Sequence, residues 1–409
     1  MKPDVNLCNN LKSIRTRLGM SQQELANIAG VTRQTIGGLE SGQYAPSVTV
    51  SLRLAKALGC TVEELFWLEG DLPEIEAIVA ESASNQQRSR LSLARVGDQW
   101  IAYPLVGNDA FRIEMIPSDG EMVAVNQQPV ISVSDRPALA QCLVERKEHH
   151  SQGEAKNQNG TNKVLVRLLN DIDKLQNTVV IAGCTPVLSL LARATECWHP
   201  KLRVYYRFAH SKAALSSLCR GEVHIAGMHL YDPKTGEHNI PFVREAATGK
   251  NFVLITLGVW EEGLLVPPGN PMGVKTVSDL VEFGATIVTQ QVGSGSRMLL
   301  ERKLLEERVP FQTVKGLDHI AHNHQDVALS VVSGIADAGI STASIAAAFG
   351  LGFIPLHQAR YDLVILKEYL EQSPVQQFLN ILGHRVVRSQ LEVLGGYDIS
   401  KIGEVVANI

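Results

Sequence analysis

The sequence predicts a multidomain protein. An all-α unit spans residues 1–68, a linker with a small β-containing unit spans 69–163, and a two-lobed α/β domain spans 164–409. Three observations predict this. Near the start, apolar residues recur every three or four positions between capping signals. The pattern then shifts to short β-like runs set off by Gly-Asp, Gly-Asn and Ser-Asp-Gly turns. From about residue 164, apolar runs alternate with helical stretches, as in a mostly parallel sheet covered by helices. A chain of 409 residues is long enough for two or three domains with separate cores.

Residues 1–68 read as purely helical. Leu7, Leu11, Ile14 and Leu18 form one stripe. Ser21 with Glu24 is a capping box that opens a second helix, SQQELANIAG, and Gly30 stands where a C′ glycine ends it. Thr32 caps a third helix, RQTIGGLESG, ended by Gly42. Pro46-Ser47 opens a fourth, TVSLRLAKALG, and Thr61 with Glu64 opens a fifth, TVEELF. Five short helices with tight turns suit a compact DNA-binding bundle.

Residues 69–90 are polar and linker-like. LSLARVGDQWIAYPLVG and FRIEMIP make the β unit at 91–145, with DRPALAQCLVERK as a following helix and 149–163 as a polar loop. In the α/β domain the strand candidates are TVVIAG, LRVYYRFA, VHIAGMHL, FVLITLG, GLLVP, ATIVT, DAGIS and YDLVIL. Residues 259–271 read as the crossing out of the first lobe and 361–366 as the return.

Bulk composition narrows the function classes. The chain is 45% hydrophobic and 20% charged, with a net charge of −4, so any DNA contact is local rather than a general basic coat. Six cysteines form no CxxC pair and read as reduced thiols of a cytoplasmic protein. No secretory leader and no run of about 18 apolar residues is seen, so no membrane partner is expected.

The second and third helices with the Gly30-Val31 turn match a helix-turn-helix, packed through Ala26, Val31, Ile36 and Leu39. The third helix would enter the major groove N-terminus first. Arg33 suits guanine and Gln34 suits adenine, each by two bonds. Thr32 and Thr35 flank them, Gln22 is placed for a phosphate, and Ser41, Gln43 and Tyr44 are placed to grip the backbone. SQQELANIAGVTRQTIGGLESGQYAPS followed by LAKALGCTVEELF resembles the phage-repressor or Cro-like (XRE) family over about the first 67 residues. The resemblance implies operator binding to double-stranded DNA. Lys2, Lys12, Arg15, Arg17, Arg33, Arg53 and Lys56 only slightly outnumber Asp4, Glu24, Glu40, Glu63 and Glu64 here. Affinity would then lean on a homodimer rather than on bulk charge.

A helix N-terminus exposes unpaired N–H groups and attracts anions. Three strand-to-helix loops carry small or hydroxyl residues at such starts. Gly183, Cys184 and Thr185 precede one helix, Ser211 can cap another, and Ser294, Gly295, Ser296 and Arg297 open a third. Two fall in the first lobe and one in the second. SKAALSSLCRGEVHIAGMHL, GLLVPPGNP, QQVGSGSR, DVALSVVSGIADAGI and GLGFIPLHQARYDLVI resemble the periplasmic-binding-protein-like domain of cytosolic bacterial regulators over about 164–409. That domain type also occurs joined to molybdenum-cofactor enzymes. The resemblance implies a small ligand, with molybdate or a related oxyanion as the expectation, held by Thr185, Ser211, Ser294, Ser296 and Arg297. His229 would face the cleft from a strand's carboxyl end. Cys184 departs from the pattern, since a hydroxyl there would suit an oxyanion better.

Other features read as structural. Cys184 reads as a packed small residue ahead of a redox thiol. His319, His322 and His324 read as a polar helix entry without a fourth metal ligand. GSGSR lacks the Gly-Lys-Ser/Thr of a phosphate loop and the GxSxG of a nucleophile elbow. No catalytic residue, resident metal or cofactor is expected. The sequence thus reads as a ligand-responsive transcriptional regulator. Two alternatives stand beside it. One is the same architecture sensing an organic metabolite; the other is a molybdenum-cofactor-metabolism protein that uses the bundle for docking.

Overall fold

The computed structural model describes residues 7–68, 72–80, 90–110, 115–123 and 163–409. The helix expected over 135–147, and the 149–163 loop up to residue 162, lie outside the described residues. The chain divides into two compact units, Met1–Glu74 and Ile75–Ile409.

The first unit contains the five expected helices, Leu11–Arg17, Gln22–Ala29, Arg33–Glu40, Val48–Leu58 and Val62–Leu65. Local chemistry sets their ends. Ser21 and Thr61 each form a complete capping box, with Glu24 and Glu64. Gly30 and Gly59 end their helices in the left-handed conformation that a glycine adopts without a Cβ clash. Leu11, Leu25, Ala26, Ile36, Leu39, Leu54 and Leu65 fill the core. The unit is not purely helical, as the sequence suggested. Leu7–Asn9 pairs antiparallel with Phe66–Leu68, so the ends of the unit meet in a two-stranded sheet. Runs of three residues are too short for periodicity to reveal. Leu18, placed on the apolar stripe by spacing, is 47% exposed.

A closed five-stranded barrel follows, in the order Glu74–Val79, Gln99–Pro104, Arg90–Val96, Gly120–Met122 and Lys163–Leu168, and all of it but Glu74 lies in the second unit. The linker-like stretch therefore contains a strand. The barrel's last strand crosses position 164, where the sequence suggested that the α/β domain begins. Leu91, Leu93, Ala102, Val166 and Leu168 pack inside the barrel. Ala94, Val96, Ile101 and Tyr103 instead join the core of the adjoining α/β lobe.

A ten-stranded sheet organises the rest. Its spine is an antiparallel pair of 15-residue strands, Phe252–Val266 and Gly352–Leu366. FVLITLG and GLLVP, read from sequence as separate strands, are the two halves of the first. YDLVIL is the second half of its partner. Lobe one adds the parallel strands Ile225–Met228, Thr178–Gly183 and Arg203–Phe208 beside one end of the spine. Lobe two adds Ala338–Thr342, Ile287–Gln290 and Ile320–Ala321, also parallel to one another, beside the other end.

The spine bulges between Thr256 and Gly258 and again between Glu262 and Gly263. Bulges re-aim side chains and sharpen twist. The second requires glycine, because a Cβ on Gly263 would lie 2.0 Å from the Ile354 carbonyl oxygen. Lobe two has cores on both sheet faces: Leu264, Ile287, Leu300 and Ile340 on one, Val288, Val327, Val331 and Ile345 on the other. Among the described residues, no helix is long and apolar enough to cross a membrane.

Candidate functional site

The helix Arg33–Glu40, expected to enter the major groove, is fixed from within its own unit. Thr32 accepts from the Thr35 amide at 3.1 Å and caps the helix. Glu40, at the other end, is gripped by Arg15, with Nε to Oε1 at 2.6 Å and a second guanidinium nitrogen to Oε2 at 3.2 Å. Burial would raise the Glu40 pKa, but hydrogen bonds from Arg15 and Gln22 bring it below the usual range. Gln22, expected on a phosphate, donates to Glu40 at 2.8 Å. The Tyr44 hydroxyl donates to the Thr35 carbonyl at 3.0 Å. Ser41 donates to the Gly37 carbonyl at 2.9 Å. Arg33, Gln34 and Gln43 are exposed. The arrangement thus presents a guanidinium and a carboxamide at the N-terminal end of a braced helix, the geometry that major-groove readout uses.

The second constellation lies where the spine passes between the lobes. Cys184 follows Thr178–Gly183, and His229 follows Ile225–Met228. Ser211 opens the helix after Arg203–Phe208, and Ser294 caps the helix Gly295–Glu306. These are carboxyl ends of parallel strands, where α/β sheets hold ligands. Ser211 Oγ accepts from the His229 amide at 3.2 Å. A Cβ on Gly295 would stand 2.3 Å from His229 Cε1. His229 therefore links the Ser211 start of lobe one to the Ser294–Ser296 start of lobe two.

Several expected residues have internal roles. Thr185 Oγ1 accepts from the Val187 amide at 3.3 Å. Gly183 leaves room for the Tyr361 hydroxyl, which a Cβ would approach to 2.5 Å. Arg297 is turned into lobe two. Its guanidinium donates to Thr289 at 2.8 Å and Glu301 at 2.9 Å, and stacks 4.8 Å from the Phe311 ring.

Sequence reasoning missed Glu262, Trp260 and Tyr361, and set His324 aside. Glu262 is 1% exposed, with Oε1 at 3.2 Å from both His229 Nδ1 and Ser296 Oγ. Adjacent carboxylates interrupting an apolar run, WEEG, were the available signal. His324 is buried at the start of a lobe-two helix, 3.1 Å from Ser341 Oγ through Nδ1. His319 and His322, its sequence companions, are exposed. The His229 ring stacks on Tyr361 at 5.8 Å and meets Trp260 edge-on at 4.9 Å.

The electrostatics follow from this crowding. Burial would raise the Cys184 thiol, but His229 and then His324 outweigh it and bring the pKa to about 6. Burial would lower His229, but Cys184 and Glu262 raise it to about 10. Burial would raise Glu262, but His229 holds it below the ordinary range. His210 nearby is pushed down to about 4 by burial and then by repulsion from His324 and His229. Trp260 Nε1, Tyr361 Oη, His324 Nε2 and His229 Nδ1 are buried without an aligned hydrogen-bond partner. Such groups are costly unless something satisfies them.

Known proteins resemble both units. The helix-turn-helix family matches residues 11–65, and the family described as a PBP superfamily domain matches residues 192–383. The uncharacterized protein YvgK of Bacillus subtilis (strain 168) is 33% identical over 200 residues, covering 49% of this chain and 64% of its own length. This chain thus spans less than two thirds of that relative. The uncharacterized HTH-type transcriptional regulator YgzD of the same organism is 44% identical over 61 residues, 15% of this chain and 92% of its own. Among solved structures, an ABC-type phosphate transport receptor from Vibrio cholerae has a TM-score of 0.38 at 16% identity, covering 54% of this chain and 98% of that one. Residues 192–383 match the PBP superfamily domain, and, with a capped, braced helix Arg33–Glu40 within the matched residues 11–65, the chain belongs to the helix-turn-helix transcriptional regulators.

Proposed function

We propose that the chain is a ligand-responsive transcriptional regulator of the cytoplasm, acting as a homodimer on double-stranded operator DNA. Arg33 and Gln34 read base edges, and the two-lobed domain holds a small ligand. One observation carries the reading: a helix-turn-helix shares the chain with a domain whose two lobes meet at His229 and Gly295. A ligand that binds the closed lobes better than the open ones can shift DNA affinity by that difference alone. In a dimer, closure would alter how two reading helices fit half-sites about 34 Å apart.

An oxyanion, molybdate first, is supported by the hydroxyl-bearing helix starts at Thr185, Ser211 and Ser294 and by the partnerless Trp260 N–H. Glu262 and Arg297 weigh against it, since an anion would meet a buried carboxylate and a guanidinium whose Nε and Nη1 already donate to Glu301 and Thr289. An organic metabolite and a docking role for the bundle remain the alternatives. The test is site selection from random DNA with the full chain, followed by calorimetry with molybdate, tungstate, sulfate and a metabolite panel. Selective DNA binding supports the regulator reading. Its absence with and without each compound favours docking. Heat with a metabolite and with no oxyanion rejects the oxyanion form.

A further inference from the structure

We infer that Cys184, His229 and His324 form a binding site for a thiophilic divalent d-block cation, which fastens the two lobes together. The inference rests on the regulator reading and names its ligand class. The donors are one thiol and two imidazoles, all buried, with ligating atoms within 4.8 Å of one another. Sulfur with imidazole is the donor set that zinc(II) and its chemical neighbours prefer over oxygen sites.

The surroundings are arranged as around a metal. A ligating histidine uses its second nitrogen to hold an outer partner that fixes the ring. His324 Nδ1 sits 3.1 Å from Ser341 Oγ and 3.3 Å from Gln290 Nε2, which leaves Nε2 without a partner. Glu262 Oε1 stands 3.2 Å from His229 Nδ1, at ion-pair distance without hydrogen-bond alignment, and is the carboxylate on that side of the ring. Thiolate and carboxylate supply two negative charges, and the nearby guanidinium of Arg297 is committed to Glu301 and Thr289. A dication balances those charges and leaves both imidazoles neutral. An oxyanion would add to them.

The placement joins this chemistry to the fold. Cys184 and His229 belong to lobe one, and His324 belongs to lobe two. The full donor set exists only when the lobes are closed, so the cation must prefer the closed form. The His238–His357 pair, with Nε2 atoms 3.3 Å apart, is not part of the cluster and serves as a control.

The test uses the full chain, stripped with a chelator. Zinc(II) is titrated in competition with a chromophoric chelator, and cobalt(II) is added separately for its spectrum. Expected are a single equivalent and a thiolate-to-cobalt charge-transfer band, both lost in Cys184→Ser and His324→Gln and kept in His357→Gln. Ser341→Ala, which leaves all three donors in place, is expected to weaken zinc binding about 10- to 100-fold. Thermal melts establish that each variant is folded. No zinc binding by the parent chain overturns the site. Unchanged binding in Cys184→Ser and His324→Gln overturns it equally. Operator binding is measured in parallel. Zinc binding that leaves operator affinity unmoved keeps the site and rejects ligand response. Absence of selective DNA binding rejects the regulator reading and leaves the site standing.

Discussion

Arg203 donates to Asp119 Oδ2 at 2.6 Å, joining the barrel to lobe one of the α/β domain. Asp119 also accepts from the Leu93 amide at 2.9 Å and from Ser92 Oγ at 2.8 Å, and its side chain is 5% exposed. Removing one partner of a buried pair leaves a charge stranded. Asp119→Ala is therefore expected to lose about 3 kcal/mol of stability, read from urea unfolding. A loss below about 0.5 kcal/mol, the scale of an exposed pair, would show that the seam does not depend on it.

The same carboxylate predicts a pH dependence. Burial would raise its pKa, but Arg203 and the hydrogen bonds from Leu93 and Ser92 hold it below the ordinary aspartate value. A depressed carboxylate contributes stability that is complete above the unfolded value of about 3.9 and is lost as pH falls through the folded value. Unfolding free energy should therefore fall with acid below about pH 4, and Asp119→Asn should flatten that part of the curve. An unchanged acid limb in Asp119→Asn would assign the effect to other carboxylates.

At the DNA-reading end, Arg33 and Gln22 should behave differently although both were candidates from spacing. Arg33 is exposed at the first position of its helix. Arg33→Ala is expected to cost about 1–3 kcal/mol of discrimination at a guanine. Gln22 donates to Glu40, so Gln22→Ala should cost about 1 kcal/mol of stability and leave the salt dependence of DNA binding unchanged. A preference profile for Arg33→Ala identical to the parent's would remove it from base readout. A shallower salt slope in Gln22→Ala would restore it to the phosphates.

How much was legible divides by sequence distance. The capping boxes at Ser21 and Thr61 could be read because both partners lie three residues apart. The α/β alternation could be read because strands such as Thr178–Gly183, Ile225–Met228, Ile287–Gln290 and Ala338–Thr342 are buried runs. Leu7–Asn9 with Phe66–Leu68 could not, since the partners lie at opposite ends of the unit. The barrel was hidden for the same reason, as Gly120–Met122 pairs with Lys163–Leu168, far away in sequence. At the candidate site, strand-to-helix starts pointed to Ser211, Ser294 and Ser296, because each sits in a local motif. His324 has His319 and His322 as its neighbours in sequence, whereas its neighbours in space are Cys184 and His229. Arg297 looked available because Thr289, Glu301 and Phe311 could not be foreseen around it.

Gly295 offers the sharpest probe of lobe closure. It opens a lobe-two helix, where alanine is ordinarily the better helix former by about 1 kcal/mol. Yet a Cβ there would lie 2.3 Å from Cε1 and 2.6 Å from Nδ1 of His229 in lobe one. His229 is 3% exposed, walled by Trp260 and Tyr361 and tied through its amide to Ser211, so its ring has nowhere to go. The strain is relieved most readily by the lobes parting, because each lobe keeps its own core. Gly295→Ala should therefore keep a melting temperature near the parent's and bind operator as the ligand-free parent does. It should lose any ligand-dependent change in operator affinity, measured by fluorescence anisotropy with and without ligand. A response equal to the parent's would mean that closure at His229 and Gly295 is not what the DNA-binding end senses.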